Sequence, residues 1–222
     1  MKSDDFYYNY LNEASLSSSM IKKLSQSPKS YEEALKKSIK PTSALIEGRL
    51  FHQAILEPHL FEKYIFLNCE LKTSKIYKDA IKENPDQKHL YYTKKEFNRV
   101  NRLVDAFLQN NSATSLLKNA EFEVPQINLI NKIPFRGKAD ILNGNEIYDL
   151  KTTLSIKSWK KENKKWSTSP YNYDYDVQAF IYCTLFNIDY KNFYFLVIDK
   201  ITTDIGIFEI SEEFYLSGKR KT

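Results

Sequence analysis

Two aspartates and a lysine carry the most chemistry in this chain. They lie in the segment Gly137-Lys-Ala-Asp140-Ile-Leu-Asn-Gly-Asn-Glu-Ile-Tyr-Asp149-Leu-Lys151-Thr152. Asn143-Gly144 between two apolar-rich runs is a strong hairpin signal, because a type I′ turn needs positive φ at both central positions. With Asn143-Gly144 as the loop, Leu142 pairs with Asn145 and Asp140 with Ile147. With Gly144-Asn145 as the loop, Asp140 pairs with Asp149. Paired residues share a sheet face and side chains alternate along a strand. Either register therefore points Asp140, Asp149 and Lys151 the same way, whereas a three-residue loop would reverse Asp140. Two carboxylates and an ammonium on one face suit a divalent cation and chemistry on phosphate.

Hydrolysis of a phosphodiester needs an activated water, neutralised phosphoryl oxygens and a stabilised leaving alkoxide. Mg²⁺ serves these needs and prefers carboxylate and carbonyl oxygen. Asp140 and Asp149 offer two such oxygens and the Leu150 carbonyl a third. Lys151, two residues from Asp149, can orient or deprotonate the water, or balance developing charge. The competing reading is a cross-strand salt bridge on an exposed face, which is common and weak. Apolar Ile147, Tyr148 and Leu150 around Asp149 argue for a buried strand, where carboxylates seldom lie without a partner or a metal.

The elements that must position these groups change character along the chain. The first 120 residues read mainly as helices. Ser18 or Ser19 can cap a short helix through Ser25, Ser27-Pro28 starts another over 31–37, and Thr42 or Ser43 can cap a helix to about Glu57, before Pro58. A longer helix over 93–109 places Phe97, Val100, Leu103, Val104 and Phe107 at helical spacing for packing. The segment 66–92 is the least legible. Strands follow over 121–130, 133–142 and 146–152, then a helix over 176–186 with Asp176 as its cap, strands over 193–199 and 205–210, and a short C-terminal helix. Strands, a crossover helix and more strands imply α/β architecture: one mixed β-sheet with helices on its faces, not two separate domains.

At 222 residues with a net charge of +5, the chain is long enough for one well-cored domain, and its charge permits a polyanionic partner without demanding one. No stretch is long or apolar enough to span a membrane, and the N-terminus lacks signal-peptide character, so a cytoplasmic location is expected. Isolated Cys69 and Cys183 give no disulfide framework and no thiolate cluster for zinc or iron–sulfur. After the hairpin, Lys157, Lys160, Lys161, Lys164 and Lys165 alternate with Trp159 and Trp166. Aromatics among lysines suit a nucleic-acid surface, the alternative being a solvated lysine-rich loop.

The order Gly137-x-x-Asp140, Asp149-x-Lys151 and Gln178-x-x-x-Tyr182 resembles the motif series of the PD-(D/E)XK nuclease superfamily, RecB-like branch. Ser18 with Leu24 and Ser27-Pro28-x-x-Tyr31 resembles that branch's N-terminal segment. Gly48-x-x-x-His52 followed by Leu56-Glu57-Pro58, and Asp149-Leu-Lys-Thr-Thr, are similar to stretches of the RecE-type (exodeoxyribonuclease VIII-like) exonucleases. The likeness runs from about residue 16 to 215.

It implies a restriction-endonuclease-like core in a single domain over 1–222, helical over about 16–119 and catalytic over about 120–217. By resemblance Asp140 and Asp149 are metal ligands with the Leu150 carbonyl, Lys151 is the catalytic lysine, and Gln178 and Tyr182 face the site. His52 is a further ligand or holds metal-bound water, with Gly48 one turn away leaving room beside the imidazole. Glu121 matches the acidic residue of the preceding strand, although Glu123 stands on the same face. The implied cofactor is Mg²⁺, with Mn²⁺ substituting and no iron–sulfur cluster.

The implied activity is a DNA exonuclease resecting duplex ends 5′ to 3′ for recombination. It would work as a ring-shaped homo-oligomer that hands the 3′ tail to a single-strand annealing protein. Low glycine and Asn/Lys/Tyr richness hint at a phage or prophage source. Lys157, Lys160, Lys164, Trp159 and Trp166 are the candidate DNA contacts. The alternatives are an endonuclease of the same fold and a non-catalytic DNA-binding module.

Overall fold

A computed structural model describes residues 14–36, 41–159, 170–171 and 173–222. Helices come first: α1 (Ser18–Gln26), α2 (Pro28–Lys36), α3 (Ser43–Leu56) and the single turn α4 (Pro58–Phe61). Ser17, not Ser18 or Ser19, holds the N-cap position of α1. The α3 N-cap is Thr42, whose side chain accepts from Leu45 N. Between 65 and 93, where the sequence pattern is faintest, lie β1 (Ile65–Leu67), α5 (Lys75–Glu83), a 3₁₀ turn over Pro85–Leu90 and β2 (Tyr91–Thr93). β1 and β2 pair in parallel as a small separate sheet. Thr93 and Glu96 form a reciprocal capping box that starts α6 (Lys94–Gln109), and α7 (Asn111–Ser115) follows.

The second half is a five-stranded sheet in the order β3-β4-β5-β6-β7, from β3 (Glu121–Ile130), β4 (Ile133–Asn143), β5 (Glu146–Thr153), β6 (Phe193–Asp199) and β7 (Ile205–Glu209). The β3/β4, β4/β5 and β6/β7 pairs are antiparallel. The β5/β6 pair is parallel, its crossover carrying α8 (Tyr175–Phe186). Helix α9 (Glu212–Lys221) ends the described chain. The sheet is thus mixed and helix-flanked, as the sequence pattern requires.

Alternation along β5 and β6 divides the core into two halves. Ile147, Phe193, Phe195 and Val197 pack with Val177 and Ile181 of α8 and Phe214 of α9. Tyr148, Leu150, Leu196 and Ile198 pack on the other face with Leu50 and Phe51 of α3 and Val100, Leu103 and Phe107 of α6. Asp149 and Lys151 alternate with Leu150, so they belong to the α8 face. Both cysteines are free and buried. Among the described residues, no helix is long and apolar enough to cross a membrane.

The β4–β5 register is Asn143↔Glu146, Leu142↔Ile147 and Ile141↔Tyr148. Its loop is Gly144-Asn145, the second of the two registers the sequence allows. Only Gly144 of the two has positive φ (59°), which fits a type II′ turn with glycine first, not type I′.

Candidate active site

Helix α3, strand β4 and strand β5 each deliver part of one polar cluster. Gly48 brings α3 close to β5: a Cβ there would sit 3.3 Å from Thr152 Oγ1. The glycine therefore makes room for the strand, and the tight neighbour is Thr152, not the imidazole. One turn later, His52 Nε2 lies 3.0 Å from Asp140 Oδ2 and 3.2 Å from the Leu150 carbonyl. Its Nδ1 is 3.3 Å from Glu123 Oε1.

Strand β4 rotates where Asp140 sits. Ala139 packs on the α8 side and Ile141 on the α3 side, although residues two apart in a regular strand share a face. On β3, Glu123 lies between the paired positions Phe122↔Ile141 and Val124↔Ala139, with a φ of 51°. That local twist turns Glu123 and Asp140 toward His52. It also frees Asp140 Oδ2 to accept from Leu150 N at 2.8 Å, tying β4 to β5 through a side chain.

Asp149 is fully buried. Gln178 Nε2 of α8 donates to its Oδ1 at 2.7 Å, and Lys151 Nζ pairs with its Oδ2. Lys138 Nζ meets Glu123 Oε2 at 2.9 Å. Lys151 Nζ also lies 5.2 Å from the ring centroid of Tyr175, within cation–π range.

The charges shift one another strongly. Burial works against an imidazolium at His52, but the Asp140 carboxylate, helped by Glu123, overrides it and lifts His52 to about 10. Burial likewise pushes Asp140 up, and His52, Lys151 and the Leu150 N–H outweigh it, leaving Asp140 below the ordinary carboxylate range. Asp149 goes the other way, to about 6, because burial and the Asp140 charge exceed the help from Lys151. Lys151 is held firmly protonated by Asp149 and Asp140 despite its burial.

These residues fit a divalent cation. One ligand atom each from His52, Glu123 and Asp140 lies within 4.8 Å of the others. Imidazole nitrogen, carboxylate oxygen and the adjacent Leu150 carbonyl form a donor set for Mg²⁺ or Mn²⁺. His52 stands between the two carboxylates, its Nδ1 toward Glu123 and its Nε2 toward Asp140.

A family model described as a PDDEXK-like domain of unknown function (DUF3799) matches residues 17–221. The chain belongs to this family. The crystal structure of a candidate exonuclease from Eubacterium rectale shares the PDDEXK-like chain's fold. It aligns with a TM-score of 0.69 at 18% identity, over 99% of this chain and 81% of that one. The structure of SSO0001 aligns at a TM-score of 0.43 and 14% identity over 100% of this chain and 85% of that one, too distant to carry weight. No match was found among curated proteins.

In this PDDEXK-like domain, His52, Asp140, the Leu150 carbonyl, Asp149, Lys151 and Gln178 come together in one cluster. Tyr182 is buried on α8 and lines the same cavity as Asp140 and His52, of about 540 Å³. Glu121 does not join them: it is exposed, opposite Leu142, and Glu123 takes the place beside His52 because the positive φ turns it inward. Asp176 is not the cap of α8, since Asp174 occupies that position. Asp176 is buried instead, accepting from Ser217 Oγ at 2.7 Å and pairing with Lys221 at 2.9 Å.

Trp159 is not a surface residue. It is 2% exposed and packs edge-on to Phe195 at 5.3 Å between ring centroids, so its ring serves the core. Lys157 is exposed, while Lys160, Lys161, Lys164, Lys165 and Trp166 lie outside the described residues. Sequence reasoning passed over Lys138 and Tyr175. Lys138 stands two positions before Asp140, and Tyr175 stands one helical turn before Gln178, so the same spacing arguments reach both.

Proposed function

We propose that this PDDEXK-like domain is a Mg²⁺-dependent deoxyribonuclease, specifically an exonuclease that resects duplex DNA ends. The observation that carries the reading is the convergence of His52, Glu123 and Asp140 beside the buried Asp149 and its half-buried partner Lys151. Such a group of charges is costly to bury unless it works on a charged substrate.

The ligands would be His52, Glu123, Asp140 and the Leu150 carbonyl, with Asp149 completing the set from the next strand. Bound there, Mg²⁺ or Mn²⁺ would supply Lewis-acid polarisation of the phosphoryl oxygen and a more acidic water. His52 would ligate as the neutral ring. Lys151 Nζ, released from Asp149, orients the attacking water or neutralises charge on the pentacovalent phosphoryl group. Gln178 keeps Asp149 aimed while Lys151 moves, and Tyr182 walls the cavity on the Asp140 side.

Exonuclease action draws support from the RecE-type motifs and from the solved structure of a candidate exonuclease. The 5′ to 3′ polarity, a role in recombination with an annealing protein, a ring-shaped homo-oligomer, a phage source and a cytoplasmic location extend the same resemblance. A linear duplex labelled at either the 5′ or the 3′ end, digested beside a covalently closed circle with and without Mg²⁺, tests the reading. Loss of the 5′ label first, with the circle intact, is expected. A cut circle makes the domain an endonuclease, and no cleavage of any DNA overturns the nuclease reading.

A further inference from the structure

His52 lies between two cavities. The one shared with Asp140 and Tyr182 faces α1 and α2. The other, of about 640 Å³, has Lys151 and Thr152 on one side and Tyr173 and Tyr175 on another. Its volume falls in the range of small-molecule sites. Three rings form a tier along this wall. Trp159 stacks on Tyr175 (5.6 Å between centroids, 27° between planes), and Tyr175 stacks on Tyr173 (5.6 Å, 30°).

The inner end of the tier is sealed, since Trp159 is buried. The outer end is open: Tyr173 is 55% exposed. Lys22 Nζ stands 5.5 Å from the Tyr173 ring centroid and reaches the Tyr173 carbonyl at 3.4 Å. An exposed ring, a cavity that leads to Lys151 and an ammonium over the ring together match a nucleotide: the phosphate draws Lys22 off the ring and the base takes its place on that face.

We infer that Tyr173 seats an unstacked nucleobase of the strand being cut, adding a fourth member to the Tyr173–Tyr175–Trp159 tier. The inference rests on the nuclease reading and adds the state of the substrate at the cut. A base can lie on Tyr173 only after one of its faces has left its neighbour in the strand, which is easiest at a strand end. Tyr173 is therefore a binding residue that selects a frayed or single-stranded terminus, and Tyr175 positions Lys151 beneath it. Recognition by stacking tolerates every base and holds purines better than pyrimidines.

The test uses single-stranded oligonucleotides carrying 2-aminopurine at the 5′ end, the 3′ end or the centre, bound to the whole protein in EDTA. Binding is expected to quench the probe at one end and not at the centre. Tyr173→Phe keeps that quench. Tyr173→Ser abolishes it and raises Kd by about 5-fold or more, the loss of one stacked base. With Mg²⁺ and linear duplex, Tyr173→Ser is expected to raise KM with little change in kcat. A quench equal in Tyr173→Ser and wild type, an equal quench at the centre, or Tyr173→Phe behaving as Tyr173→Ser would each overturn the inference while leaving the nuclease reading intact. Protein that neither binds nor cuts DNA overturns both.

Discussion

His52 Nε2 on α3 and Asp140 Oδ2 on β4 meet at 3.0 Å, joining the helical half of the chain to the five-stranded sheet across 88 positions of sequence. The contact makes α3 part of the candidate site and not merely cover for the sheet. It also couples their charges: the Asp140 carboxylate raises the proton affinity of His52, and His52 lowers that of Asp140.

Replacing His52 by alanine should therefore raise the Mg²⁺ concentration needed for half-maximal cleavage by about 10- to 100-fold, as expected for a lost metal-site partner. Wild-type protein should gain thermal stability as Mn²⁺ is added, and Asp140→Ala should not. Cleavage assays over a metal titration and thermal melts with Mn²⁺ check the pair.

Gln178 donates to a fully buried carboxylate, so Gln178→Leu leaves Asp149 Oδ1 without that donor. An unmet buried acceptor costs about 1–3 kcal/mol, and the same misorientation should lower kcat by roughly 10-fold or more with KM little changed. Steady-state kinetics on a labelled duplex reads the split.

Asp149 and Lys151 were legible as neighbours because alternation along β5 puts them on one face. What alternation does not reach is the rotation of β4 at Asp140. It is the positive φ of Glu123 that swaps the acidic partner from Glu121 to Glu123. Glutamate at positive φ has no sequence signature, since that conformation is set by the neighbouring strands. The β3–β4 turn was placed correctly between 130 and 133; there Asn131 and Lys132 both have positive φ (51° and 68°), a conformation that Asn tolerates better than most residues. Trp159 misled for a different reason: a lysine-rich neighbourhood says nothing about which way one ring points. The short β1–β2 pair was hidden because three-residue strands carry no measurable period.

Trp159 and Lys157, two residues apart, should behave oppositely when substituted. Trp159→Ala should cost about 3–5 kcal/mol of stability, as large aromatic truncations in cores do. Lys157→Glu should leave stability within about 0.5 kcal/mol. If the loop contacts DNA, Lys157→Glu weakens binding and flattens its salt dependence. Urea unfolding and filter binding at two salt concentrations separate the effects.

Helix α9 locks α8 in place through Gly218. A Cβ at that position would lie 2.0 Å from the Asp176 carbonyl oxygen, a backbone atom that cannot step aside. Gly218→Ala should therefore destabilise the domain by more than about 2 kcal/mol. It should also lower kcat, because α8 carries Gln178. Denaturation and kinetics on the same preparation report both.

Acid stability should depend on Asp199. This buried carboxylate accepts from Ile156 N (2.8 Å), Ile201 N (2.7 Å) and Thr202 N (3.1 Å). Burial alone would push its proton affinity up, but those bonds hold it below the ordinary range. A depressed folded pKa stabilises above the unfolded value, about 3.9. That contribution is lost as pH falls below this value and through the folded one. Asp199→Asn should be less stable at pH 6 and show a shallower fall in urea midpoint from pH 5 to pH 2.5.

The most direct measurement is the hydrolysis of an end-labelled linear duplex by the purified protein, with Mg²⁺ or EDTA, beside Lys151→Ala at the same concentration. Release of label by the wild type in Mg²⁺ alone, with loss of at least about 100-fold in Lys151→Ala, is the predicted result. Cleavage that persists in EDTA, or that Lys151→Ala retains, would contradict a metal-dependent centre built on Asp140, Asp149 and Lys151.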